Sequence, residues 1–133
     1  MSSAPSLSVR SRSPTLRYLQ VDLASRIEGS TPHALVSMLY SELSASLDVM
    51  VRAAGNENVT RRLQQYERAS SILHTLEASL DQAKGGELAM SLAGIYRQMR
   101  RRLLAGRSGD VDAIKEVRDG VASLADAWAR ITV

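Results

Sequence analysis

Between Thr31 and Ile131 the apolar residues return at gaps of three and four in four successive runs, with Gly, Asn or Asp near each interruption. That period belongs to a helix, because residues three and four apart share one helical face. The first run carries Leu35, Leu39, Leu43, Leu47 and Met50. The second carries Val59, Leu63, Tyr66, Ala69, Leu73, Leu76 and Leu80, and the third Leu88, Leu92, Ile95, Met99 and Leu103. The fourth consists of Ile114, Val117, Val121, Leu124, Trp128 and Ile131. Thr31 is suited to cap the first helix, with Pro32 at the first helical position, where its missing N–H costs nothing. Gly55 is expected to end that helix in the left-handed conformation, and Asn56 or Asn58 to open the second. Glu87 is placed for the positive end of the third helix, Gly106 and Gly109 for its break, and Asp110 for the cap of the fourth. Helices of about 20 to 25 residues, each roughly 30 to 37 Å long, with connections of a few residues predict an all-α fold. Its form is an antiparallel up-down four-helix bundle with a short N-terminal lid segment.

The 133 residues are 44% apolar, enough for one domain with a sizeable core. Phe is absent, so the seams must be filled by Leu, Ile, Val and Met. The first 17 residues are Ser-rich and acid-free and hold Arg10, Arg12 and Arg17. They predict a disordered tail over 1–17 ahead of a single helical domain over 18–133. The tail lacks both the amphipathic face of a transit peptide and the long apolar core of a secretory signal. It carries the whole net charge of +3, which leaves the remainder close to neutral and weakens a nucleic-acid reading. No window of about 18 residues is free of charge, which argues against a spanning helix. Absence of cysteine excludes disulfides and thiolate chemistry and fits a reducing compartment. The segment YLQVDLASRIEGS before the bundle has ambiguous spacing, as a short helix or as an extended strap over the surface.

Chemical constellations are thin. His33 and His74 fall in different helices with no ligand at metal spacing, and read as a solvated and a flanking residue. Asp110 and Asp112 read as capping charge, and Glu77 with Asp81 as an exposed pair one helical turn apart. No serine has an adjacent base. Gly85 and Gly86 follow a helical stretch, whereas a phosphate loop needs a preceding strand and a longer glycine arc. Gly85 is therefore expected to take a left-handed turn ending the second helix, and Gly86 to free the chain before Glu87. No catalytic site, cofactor or metal is expected.

Two surfaces stand out instead. Arg97, Arg100, Arg101, Arg102 and Arg107 make the third helix basic, readable as a solvated face, an acidic-protein contact or a nucleic-acid contact. No aromatic interleaves with them, which disfavours nucleic acid. Helix one is apolar on a second side, where Met38, Ala45 and Val49 cluster. That patch is open either to cover by the segment from Tyr18 to Ile27 or to a partner helix.

The succession YLQVDLASRIEGSTPHALVSMLY, ERASSILHTLEASLD, GGELAMSLAGIYRQM and DAWARI resembles the FliS family of flagellar export chaperones, which serve flagellin. The resemblance runs from about Tyr18 to Trp128 and is carried by Ser30-Thr31-Pro32 with Leu39-Tyr40, by Leu80-Asp81 followed by Gly85-Gly86-Glu87-Leu88-Ala89, and by Ile95-Tyr96 with Met99. It implies a cytoplasmic, non-enzymatic bundle that holds the C-terminal segment of flagellin in hydrophobic grooves, prevents premature polymerisation and delivers it to the flagellar type III export apparatus. It further implies Tyr18 and Val21 as lid residues, and Met38 and Val49 as one groove. Leu92, Ile95, Tyr96 and Met99 are either core or a second groove, with core favoured because a stripe at helical spacing usually is. Nucleic acid and membrane insertion are not expected, and pairing of free chains is left open. The alternative is a helical adaptor that binds another protein or nucleic acid through its basic third helix.

Overall fold

A computed structural model describes residues 32–80 and 82–131, with side chains from 85 onward in the second stretch. The tail over 1–17, the segment from Tyr18 to Ile27, the Thr31 cap and Asp81 lie outside the described residues. Four helices follow in order: α1 Pro32–Gly55, α2 Val59–Ala78, α3 Gln82–Arg107 and α4 Val111–Ala129. Their principal packing joins α1 to α2, α2 to α3, α3 to α4 and α4 back to α1. With such short connections, this is the expected up-down bundle in square order.

The core takes one layer from each helix. Leu39, Leu43, Leu47 and Met50 of α1 meet Ala69, Ile72, Leu73 and Leu76 of α2, Leu92, Tyr96, Met99 and Leu103 of α3, and Ile114, Val117 and Val121 of α4. Burial of each large aliphatic contributes about 1.5–3 kcal/mol, so this layer supplies most of the drive to fold. The outer ends of the apolar stripes depart from expectation. Val59 and Leu63 at the start of α2, Leu88 near the start of α3 and Ile131 after α4 are exposed. A periodic stripe reports which face is apolar, and these positions run past the neighbour that would cover them.

Ion pairs cross every seam: Glu42 with Arg68 between α1 and α2, Glu77 with Arg100 between α2 and α3, Arg102 with Glu116 between α3 and α4, and Arg118 with Asp48 between α4 and α1. The Arg102–Glu116 and Arg118–Asp48 pairs are largely open to solvent and contribute little stability, while Glu42–Arg68 and Glu77–Arg100 are half-buried. Glu77 thus faces the arginines of α3 instead of serving only as a partner for Asp81. Alpha-helix α1 is long and apolar enough by length and composition to cross a membrane. Its buried face is core, which accounts for that apolarity, and its Glu42 and Asp48 face arginines across the seams.

The corners correct three readings of glycine. Gly55 closes α1 but is not left-handed; Glu57 is, with φ 57°. Asn58 N–H reaches back to Ala53 C=O at 2.8 Å and Glu57 N–H to Ala54 C=O at 3.2 Å, the paired bonds of a Schellman cap. Asn58 then caps α2, its Oδ1 accepting from the Arg61 N–H. Gly106 does not break α3 but packs inside it, where an added Cβ would lie 2.6 Å from Ile114 Cγ1. Asp110 caps α4 as expected, its Oδ1 accepting from the Ala113 N–H at 3.2 Å.

The third correction concerns Gly85 and Gly86. Helix α2 ends at Ala78, closed by a right-handed Ser79 whose N–H and hydroxyl both return to carbonyls of the last turn. No left-handed glycine is needed there. Helical turns resume at Gln82, and the chain kinks at Gly86, with φ 55° and ψ −131°, before the long part of α3 runs on from Glu87. A Cβ would resist that conformation.

Candidate functional site

Pro32 starts α1, Ser79 and Leu80 follow α2, Gly85 to Leu92 open α3, and Trp128 to Ile131 finish α4, so all four meet at one end of the bundle. There the residues Pro32, Val36, Leu80, Leu88, Leu92 and Trp128 enclose most of a cleft of about 620 Å³. Its wall is apolar apart from His33 and Ser79. Just past the Gly86 kink, Leu88 stands in the wall of the cleft with 55% of its surface exposed. Exposed apolar side chains around a concave apolar wall are the pattern of a partner site.

A polar and aromatic chain holds this wall in place. The rings of His33 and Trp128 stack with centroids 5.0 Å apart. Trp128 Nε1–H donates to the His33 carbonyl at 3.0 Å, and His33 Nε2 donates to the Trp128 carbonyl at 2.9 Å. The Trp128 carbonyl also accepts the Ile131 N–H at 3.1 Å, so His33 adds a long-range bond to an end that α4 already closes locally. His33 is therefore a clasp between α1 and α4, contrary to its reading as a solvated residue. Behind it, Tyr40 meets Trp128 edge-on at 6.3 Å, and its hydroxyl is 2.7 Å from that of Tyr96 on α3. Burial pushes both phenols above their ordinary range; for Tyr96 the bond to Tyr40 adds to the rise, and for Tyr40 the bond to Tyr96 partly offsets it. Each hydroxyl is the other's partner, which satisfies two groups that would be costly alone.

The expected contact residues fall in different places. Tyr18 and Val21 lie outside the described residues. Met38 and Val49 are half-buried on α1, with Ala45 exposed nearby. Leu92 lines the cleft while contributing to the core, and Ile95 is half-buried against the core's edge. Tyr96 and Met99 are buried. Sequence reasoning did not single out Pro32, His33, Val36, Leu80, Leu88 or Trp128 as one surface. The available signal was that Leu80, Leu88, Trp128 and Ile131 are the terminal members of their stripes and share one end of an up-down bundle.

Among the described residues no group of His, Asp or Glu is arranged to hold a metal ion. His74 is exposed on α2. The arginines of α3 divide between seams: Arg97 and Arg100 turn to Glu77, Arg102 to Glu116, and Arg107 lies over the Tyr66 ring at 5.6 Å.

Comparison with known proteins places these features in a family. The FliS profile, described as flagellar protein FliS, matches residues 15–133. The flagellar secretion chaperone FliS of Salmonella typhimurium is 34% identical over 86% of this chain and 87% of its own length. That of Escherichia coli is 31% identical over 86% and 85%. The flagellar secretion chaperone FliSB of Pseudomonas aeruginosa is 28% identical over 87% and 93%.

Proposed function

The chain belongs to the FliS family, and from that premise we propose that it binds the C-terminal segment of flagellin, keeps it from polymerising early and hands it to the flagellar export apparatus. The observation that carries this reading is the apolar cleft at the end of the bundle, walled by Leu80, Leu88, Leu92 and Trp128, with Leu88 largely exposed in it. An amphipathic segment that must be kept from its own kind needs a surface of this chemistry, and helix-in-groove binding supplies it. In this reading the role is non-enzymatic and cytoplasmic.

The bound segment continues from the cleft over the second apolar side of α1, where Met38 and Val49 are half-buried, and along Ile95. Leu92 faces it directly, while Tyr96 and Met99 support the wall from within the core. The segment holding Tyr18 and Val21 lies immediately before Pro32 and competes for the same surface. Such competition lowers apparent affinity by the fraction of molecules that are open. Free chains use the same surface when they pair.

The test is complex formation with full-length flagellin and with flagellin lacking its C-terminal segment. Binding at micromolar concentration to the first and none to the second is the expected result; no binding to either ends the reading. Met38→Asp separates surface from core: binding falls with thermal stability nearly unchanged, whereas equal loss of both would mark Met38 as structural.

A further inference from the structure

Three of the four seams balance their charges across the interface, and the seam between α2 and α3 does not. Arg68, Arg102 and Arg118 each face a carboxylate on the neighbouring helix. On the α2–α3 seam, Glu77 alone serves both Arg100 at 2.7 Å and Arg97 at 3.7 Å. Arg101 and Arg107 have no ion pair among the described residues, and Arg62 spends its Nε–H on the Arg107 carbonyl at 3.0 Å. The Nε of Arg100 is buried with no acceptor. Arg97, Arg100 and Arg101 line a cleft of about 340 Å³ with Tyr66, Ser70, His74 and Leu104, and no carboxylate of the described residues is in its wall.

We infer that this basic seam is a second docking surface, for an acidic segment of a partner protein, separate from the apolar cleft. No lining residue is shared between the two, so both can be occupied together. Arg97 and Arg101 stand one helical turn apart and match carboxylates one turn apart on an acidic helix. Leu104, 53% exposed at the cleft's end, offers an apolar seat beside them. A nucleic acid fits less well. Arg107 lies over one face of the Tyr66 ring, which leaves less of it for a base to stack on. From Tyr18 onward the chain is balanced, the three tail arginines accounting for the excess of 17 basic over 14 acidic residues, so a long polyanion would gain no net attraction beyond the seam.

The probe is a synthetic acidic helical peptide, Glu at i and i+4 and Leu at i+7, titrated into the isotopically labelled full chain and followed by NMR. Expected are shifts confined to Tyr66, Ser70, His74, Arg97, Arg101 and Leu104, weakening as salt is raised. The same peptide with Gln for Glu should produce none. Arg97→Glu with Arg101→Glu should weaken binding about tenfold or more, while the same charge change at the exposed Arg52 and Arg61 should not. Should the double reversal fail to fold, Arg101→Gln alone, at an exposed position, is expected to weaken it several-fold. Flagellin binding should be unchanged in all of these variants, so failure here is distinguishable from failure of the chaperone reading. Scattered shifts, equal loss from the Arg52 and Arg61 changes, or tighter binding of a single-stranded oligonucleotide or phosphatidylglycerol vesicles at the same residues would overturn the inference.

Discussion

At the end of the bundle made by Gly55 to Asn58 and by Arg107 to Asp110, both corners close in the same way. Asn58 N–H returns to Ala53 C=O, and Asp110 N–H returns to Ala105 C=O, each with a second bond inside it. Each corner then passes directly to a side-chain cap, Asn58 or Asp110. The Arg62 side chain bonds the Arg107 carbonyl across the two corners. At the opposite end Ser79 and Arg130 close α2 and α4 locally, without a corner of that paired kind among the described residues. The kink of α3, the start of α1, the close of α4 and a stacked His33–Trp128 clasp surround apolar walls there. The first end is tied by bonds within its two corners and leaves Val59 and Leu63 exposed, whereas the other is tied by contacts between α1 and α4 around a concave apolar wall. On the proposed function, binding belongs to the clasped end and the paired corner bonds to the other.

That separation can be broken at several points. The largest stability effect is expected from Gly106→Val near the sealed end, which forces a side chain against Ile114 and Met50. Overpacking of this kind should cost about 3 kcal/mol or more, read by denaturant unfolding, with flagellin affinity per folded molecule unchanged. Tyr96→Phe should cost about 1–3 kcal/mol by leaving Tyr40 without its partner, and adding Tyr40→Phe should recover part of the loss.

The same pair gives a pH signature. Both phenols are raised in the fold, so the native state holds its protons longer than the unfolded chain. Their contribution is full below the ordinary tyrosine value of 10.0 and is lost as pH climbs above it. Unfolding titrations should show wild type losing up to about 1.4 kcal/mol more per pH unit, per tyrosine, than the double Phe variant in that range. A smaller effect distinguishes the two corners. Glu57 and Gly109 both have positive φ, and only the glycine adopts it without strain. Glu57→Gly should stabilise by about 0.5–1 kcal/mol in thermal melts, and Gly109→Ala should destabilise by about 1 kcal/mol.

Much of this architecture was legible before any coordinates. The three-and-four spacing put Leu39, Leu43, Leu47 and Met50 on one face, and those residues are buried. Asp110 was readable as a cap because its side chain acts on its own local backbone. Other features depend on distant chain. His33 looked solvated because its stacking partner lies 95 positions away. Leu88 belongs to an apolar stripe, and only the bundle's end decides that nothing described covers it. Gly85 and Gly86 were visible as a corner, but which of them carries the unusual backbone depended on how Ser79 ends α2. The cleft collects residues from all four helices, so no stretch of sequence displays it.

Trp128 is the single tryptophan and lines the cleft, so its fluorescence reports directly on that surface. The decisive measurement is titration of the flagellin C-terminal segment into the wild-type chain and into Leu88→Asp, with emission and thermal stability recorded together. Binding should shift the Trp128 emission to the blue in wild type. In Leu88→Asp affinity should fall about tenfold or more, while stability stays within about 0.5 kcal/mol of wild type. Undiminished binding by Leu88→Asp with no change at Trp128 would contradict the assignment of the open end as the flagellin site.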